Sequence, residues 1–270
     1  MATFKRVLKT GLIVAAVTAL AACSSTAPGD TAGDTGTGGE SVEPLVIATS
    51  GTYRPLAFSD AGELVGLEID LGNAFGEALG RPVEWVEAQF AGLLPGLESG
   101  QYDLVMSGMT MTEERTAQFT FTEPYFYDGI VAVVRADNDT VADVREMAGL
   151  RVGGIGGSTN EKAAHEIGGF SEFVDYPGVP EGMSDLIAGR IDMYLTPRIN
   201  ATDFIASAPN GSEVKIVGED YNPMPFGAAM SRDAEHLKPE IDAVIEELIA
   251  DGTFEEWSQK WLGYSLETNR

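Results

Sequence analysis

The 270-residue chain holds a single cysteine, Cys23. A lone cysteine excludes an internal disulfide and any multi-cysteine metal site. Histidine is almost as scarce, with only His165 and His236. Neither a His-Glu-x-x-His zinc motif nor a Gly-x-Ser-x-Gly nucleophile elbow occurs. Basic residues number 17 against 42 acidic ones, for a formal net charge of −25. Such a chain lacks the basic face that a phosphate backbone requires, which argues against nucleic acid as a partner. The acidic residues are spread along the chain and read as a solvated surface rather than a docking patch. Beyond the first 22 residues no apolar run is long enough to cross a membrane, which takes about 20 residues. Nothing in the chain calls for a cofactor or a metal.

What is present begins with an export signal over residues 1–22. Lys5, Arg6 and Lys9 make a basic start, and Gly11 to Ala19 is a short apolar run. Leu20-Ala21-Ala22-Cys23 then sets small residues before the cysteine. This resembles a bacterial lipobox. The resemblance implies that Cys23 becomes the acylated N-terminus, carrying palmitate or a similar chain, of a protein anchored on the outer face of the membrane or in the periplasm. The bland alternative is an ordinary cleaved signal with a chance cysteine. Removing residues 1–22, with their three basic residues, takes the net charge from −25 to −28. Residues 23–43 include no large apolar side chain apart from Val42. They cannot bury enough surface to offset backbone ordering and are expected to form a flexible tether.

From residue 44 strand-like and helix-like segments alternate. Residues 45–49 read as a strand, 67–79 as a helix with Leu71, Phe75 and Leu79 four apart, and 82–87 as a strand. A helix is expected from 90 to 97 and a strand from 103 to 107. The pattern repeats with strands at 130–135, 150–154, 173–174, 191–195 and 214–217. Helices are expected at 140–148, 160–167, 180–189 and 198–207, and a final helical segment holds Leu237, Ile241, Val244, Ile245 and Leu248 on one face. This predicts an α/β chain with two lobes and a ligand crevice between them.

Three segments are similar to one family. Gly51-Thr52-Tyr53-Arg54-Pro55-Leu56-Ala57-Phe58 with Leu64-Val65-Gly66-Leu67-Glu68-Ile69-Asp70-Leu71 resembles the opening of the polar-amino-acid solute-binding proteins of ABC importers, the family 3 extracellular solute-binding proteins. Phe90-Ala91-Gly92-Leu93-Leu94-Pro95-Gly96-Leu97 resembles their next helix. Ser107-Gly108-Met109-Thr110-Met111-Thr112-Glu113-Glu114-Arg115, followed by Phe121-Thr122-Glu123-Pro124-Tyr125, is the most specific stretch. The resemblance implies a two-lobed periplasmic-binding-protein-like fold of type II, with lobes joined by two hinge strands. Lobe one would be 44–130 plus 225–270, and lobe two 131–224. It also implies a monomer that delivers a small solute to an ABC permease.

By the same resemblance Arg115 would clamp the carboxylate of an amino acid, since a guanidinium grips a carboxylate through two parallel hydrogen bonds. The bland reading is a surface arginine behind a Thr112 cap. Gly108 and Thr110 would take the ammonium group through a carbonyl and a hydroxyl, with Ser107 offering its backbone. Tyr53 and Phe90 would sandwich the ligand side chain, although Phe90 also fits the core face of its helix. Gly153-Gly154-Ile155-Gly156-Gly157-Ser158-Thr159 completes no nucleotide-binding motif. Ser158 and Glu161 form a capping-box pattern, and the resemblance puts the amides of Ser158 and Thr159 on the ligand carboxylate.

The pattern departs in one place. Where the family carries an ammonium-binding aspartate, this chain reads Asp192-Met193-Tyr194-Leu195-Thr196-Pro197, with Thr196 or Pro197 at the position. That departure leaves an ectoine-like compatible solute open beside an amino acid. Arg54 either faces the mouth to select an acidic ligand or is merely solvated. Two rival functions share the expected fold: a receptor presenting ligand to a sensor, and a cyclohexadienyl-dehydratase-like enzyme, although no acid–base pair is evident for the latter.

Overall fold

The computed structural model describes residues 42–266 and residue 268. The export signal, Cys23 and the tether up to residue 41 lie outside the described residues.

The chain enters through β1 (Leu45–Thr49) and a small antiparallel ribbon of β2 (Thr52–Tyr53), β3 (Ala57–Asp60) and β4 (Glu63–Val65). Next come α1 (Leu67–Ala78), β5 (Val83–Glu87), α2 (Phe90–Glu98) and β6 (Leu104–Val105). β1 pairs in parallel with both β5 and β6. α3 (Glu113–Gln118) and β7 (Thr120–Phe121) lead into a long strand, β8 (Phe126–Arg135). β9 (Arg151–Ile155), α4 (Thr159–Ile167), β10 (Glu172–Tyr176), α5 (Val179–Ile187), β11 (Met193–Pro197) and α6 (Arg198–Ser207) repeat the alternation. The second long strand, β12 (Val214–Phe226), returns the chain to β13 (Ala229–Met230), and α7 (Lys238–Ala250) and α8 (Thr253–Leu262) close it.

Two five-stranded sheets result, ordered β5-β1-β6-β13-β7 and β10-β9-β11-β8-β12. Each builds one lobe of a two-lobed α/β fold. β8 and β12 pair antiparallel from Phe126↔Phe226 to Arg135↔Val214, with register shifts between Val217 and Tyr221 and between Tyr221 and Met224. Where both strands leave the first lobe, the Phe126 and Phe226 rings stack at 4.7 Å. β13 sits between β6 and β7, so the C-terminal segment completes the first sheet.

The sequence dictates much of this. α1 buries Leu67, Leu71 and Phe75 on one face, the spacing that drives an amphipathic helix onto a sheet. Its N-cap, Gly66, has φ 135°, and a Cβ there would lie 2.1 Å from the Leu56 carbonyl oxygen. Only glycine admits that turn between ribbon and helix.

One expected helix is absent. Residues 140–148 form turns. Their amides are captured by side chains instead of by helical carbonyls: Asn138 Oδ1 accepts from the amides of Thr140 and Val141, Glu146 Oε2 from that of Ala142, and Asp143 Oδ1 from that of Arg145. Short polar side chains compete with helical bonding in this way.

Candidate ligand-binding site

The site is assembled where the carboxyl ends of β1, β6, β9 and β11 face each other across the hinge. Its floor is the loop after β6. Gly108 there has φ 59°, and a Cβ on it would come within 2.2 Å of Tyr53 Cε1. The Tyr53 ring therefore lies directly on the Gly108 backbone, and no larger residue fits. The Gly108 amide donates to both carboxylate oxygens of Glu68, at 3.1 and 2.9 Å. The Tyr125 hydroxyl donates to Glu68 Oε1 from the other side. Glu68 is 0% exposed. Burial pushes its carboxyl up to about 7, against the downward pull of the Tyr125 and Gly108 hydrogen bonds. Ser107 is fully buried and bound to Ser50, its Oγ accepting from the Ser50 amide and donating to the Ser50 hydroxyl. Its side chain braces the floor.

Thr112 caps α3 by accepting the Arg115 amide at 3.1 Å, which turns the Arg115 side chain back over the floor. The guanidinium donates to the Thr110 carbonyl at 3.1 Å and, across the cleft, to the Gly157 carbonyl at 3.2 Å. It lies 6.0 Å from the Phe90 ring centroid. A guanidinium has five N–H donors, so three remain for a ligand. Desolvation lowers the Arg115 pKa from its ordinary value.

The opposite wall is the start of α4. Ser158 Oγ accepts the amides of Asn160 and Glu161 at 3.2 and 3.4 Å. Glu161 Oε2 reaches back one residue further than the expected capping box, to the Gly157 amide at 2.7 Å. The Ser158 amide is taken by the Ile155 carbonyl at 3.3 Å. Thr159 Oγ1 stands 3.5 Å from Thr110 Oγ1, so two hydroxyls meet across the lobes.

Tyr53, Phe90, Gly108, Thr110 and Arg115 from one lobe and Ile155, Ser158, Thr159, Asn160 and Pro197 from the other enclose a cavity of about 10 Å³. That is room for one water molecule at most. A wider groove of about 690 Å³ adjoins it through Arg115, Ser158 and Thr159. Asn160 escaped the sequence reading. It is 2% exposed, and its Oδ1 has no hydrogen-bond partner. No motif marks it, because it is one polar residue among several in a helix start. Thr196 is also buried with an unpartnered hydroxyl, yet Pro197, not Thr196, lines the cavity. Successive strand residues face opposite sides, so Pro197 turns to the cavity and Thr196 away from it.

Three further sets of charged residues around the site have internal partners. Asp192 pairs with Arg151, through contacts of 2.8 and 3.0 Å. Arg54 is neither aimed at the cavity nor free in solvent. Its Nε pairs with Asp203 of the other lobe at 3.2 Å, its carbonyl accepts from Asn200 Nδ2 at 2.6 Å, and its guanidinium covers the Phe58 ring at 4.0 Å. Asp128, at the hinge, accepts the amides of Gly129 and Ile199, both at 2.9 Å, and burial raises its carboxyl to about 7. Among the described residues no three His, Cys, Asp or Glu side chains are grouped to hold a metal ion.

Residues 45–264 match the family model of bacterial extracellular solute-binding proteins, family 3. The chain belongs to that family. It is 29% identical over 222 residues to the L-cystine-binding protein TcyJ of Escherichia coli K12, covering 81% of this chain and 82% of the relative. A solved ancestral arginine-binding protein bound to glutamine is 35% identical with a TM-score of 0.77, covering 82% and 98% of the two chains. The ancestral amino acid-binding protein AncCDT-1, a precursor of cyclohexadienyl dehydratase, is 29% identical with a TM-score of 0.75, covering 81% and 95%.

Two buried acids give this family 3 protein a pH signature. Glu68 and Asp128 hold protons in the folded state to about pH 7. The unfolded chain releases those protons near the ordinary carboxylate values of about 4. The folded state thus binds more protons between these limits, and stability falls as pH rises through that window. The melting temperature of the ligand-free protein is expected to decline from pH 5 to pH 8, and Glu68→Gln should flatten the slope. An equal slope in the variant contradicts the assignment to Glu68.

Proposed function

We propose that this protein is the extracytoplasmic receptor of an ABC importer and that it binds an α-amino acid between its lobes. The observation that carries the reading is the Arg115 guanidinium, held by one carbonyl from each lobe with three donors uncommitted. A desolvated guanidinium in an interlobe cavity calls for an anion, and a carboxylate fits its fork. Around it the walls supply the Thr110 and Thr159 hydroxyls, the Gly108 backbone and the unpartnered Asn160 carbonyl. Tyr53 and Phe90 supply flat apolar contact for a side chain. Among the cavity residues only Tyr53 and Arg115 titrate, and burial raises the first and lowers the second. That is a set for recognition rather than for proton transfer. With no carboxylate in the lining, a neutral polar side chain suits the cavity better than a cationic one.

The relatives support an amino acid as the ligand without separating neutral from cationic side chains. TcyJ is named for cystine, and the ancestral arginine-binding protein is solved holding glutamine. Ligand bridging Arg115 and Thr110 to Gly157 and Thr159 would favour the closed arrangement of the lobes, because it gains contacts from both. Acylated Cys23 would hold the protein at the membrane. Cys23→Ser should then move it from the membrane fraction to the soluble one, and unchanged membrane retention would contradict the anchor.

Ligand-induced stabilisation against the common L-amino acids is the direct test of the receptor reading. One chemical class should raise the melting temperature, and Arg115→Ala should weaken its binding by about 2–5 kcal/mol. Unaltered affinity in that variant would remove Arg115 from the site.

A further inference from the structure

A bound ammonium group poses an unsolved charge problem in this cleft. The cavity lining contains no carboxylate, and Pro197 occupies the wall position on β11. A hydroxyl and a carbonyl can accept hydrogen bonds, but they carry no net charge to offset a desolvated cation. One carboxylate nevertheless sits against the floor. Glu68, in the first turn of α1, directs both oxygens to the amide of Gly108, the residue whose backbone lines the cavity. Its other contact is the Tyr125 hydroxyl, donated from the residue that precedes β8. The Gly108 backbone thus lies against the Tyr53 ring and hydrogen-bonds the fully buried Glu68 carboxyl through its amide.

We propose that Glu68 is the anionic positioning residue of the ammonium subsite, acting on the ligand through Gly108. This inference rests on the amino-acid reading above. The ionised carboxylate fixes the Gly108 peptide, and with it the carbonyl offered to the ligand. Its negative charge also lies close enough to an ammonium on that carbonyl to be felt through a poorly solvated layer. The coupling runs both ways. A cation above the floor favours the ionised form of Glu68, so ligand binding drives a proton from the carboxyl into the buffer. The titratable groups facing Glu68 are Tyr125 and Tyr53; Tyr53 is faced in turn by Asp128, Tyr194 and Arg115. Asp70 on the same helix is held by Lys260 and Trp261 of α8. Because burial leaves Glu68 titrating at about 7, the exchange falls in an accessible range.

The experiment is calorimetric titration of the full chain between pH 5.5 and 8.5, in two buffers of different ionisation heat. The probe is whichever common L-amino acid stabilises the protein most. Affinity is expected to rise about tenfold with pH across neutrality, with net proton release near the midpoint. Glu68→Gln keeps an acceptor for Gly108 but cannot ionise, so most of the pH dependence and most of the proton release should be lost, Asp128 being the other buried acid that titrates at about 7. Tyr125→Phe removes a donor that favours the ionised form and should move the midpoint upward. A flat wild-type profile, or an undiminished slope in Glu68→Gln, overturns the role of Glu68 and leaves the amino-acid reading standing. If Glu68→Gln does not fold, an unmoved midpoint in Tyr125→Phe overturns it. Failure of every amino acid to bind the wild-type protein at any pH overturns both.

Discussion

Arg115 gives one N–H to a carbonyl of each lobe, to Thr110 on one side and Gly157 on the other. Around that desolvated cation the rest of the molecule is arranged. A guanidinium keeps its charge wherever it is placed, so burying it creates a standing demand for an anion. Neutral carbonyls meet that demand only in part. The Thr112 cap fixes where α3 begins and hence where Arg115 points. The two long strands, β8 and β12, then decide whether the second lobe can reach it.

The lobes also touch away from the cavity, and those contacts are of a different kind. Lys162 pairs with Glu114 at 3.1 Å, and Arg54 with Asp203 at 3.2 Å. Lys162, Glu114 and Arg54 keep about half or more of their side chains in solvent. Such pairs contribute little, about 0–1 kcal/mol each. They can steady a closed arrangement but cannot hold it against the cost of leaving Arg115 without an anion. The energetic weight of closure therefore falls on what lies between Arg115, Thr110 and Thr159.

Much of the fold was legible in the sequence because its elements bury one face each. The run Leu71, Phe75, Leu79 gave α1, and residues 198–207 were read as the helix that α6 is. Failures occurred where short-range polar chemistry overrides periodicity, as at Asn138, Asp143 and Glu146. The ribbon β2–β4 and the pairing of β7 with β13 were missed for another reason. Strands of two to four residues carry too few side chains to show a period. In the site, the residues singled out from the run 107–115, together with Tyr53 and Phe90, converge on one region, and all but Ser107 line the cavity. Asn160 and Glu68 were not singled out, since what distinguishes them is burial, with an unpartnered carbonyl in Asn160 and with one amide and one hydroxyl as partners in Glu68. That property belongs to the tertiary structure. The sequence narrowed one position to Thr196 or Pro197, and the alternation of β11 decided between them.

The central claim is that the cleft recognises a carboxylate and an ammonium on the same small molecule. It is tested most directly by comparing the affinity of the best-binding amino acid with that of its decarboxylated amine. The account predicts that the amine loses at least about a hundredfold in affinity, the worth of a charge-assisted bidentate pair. An amine that binds as tightly as its parent would contradict it, since Arg115 would then have no anion to hold.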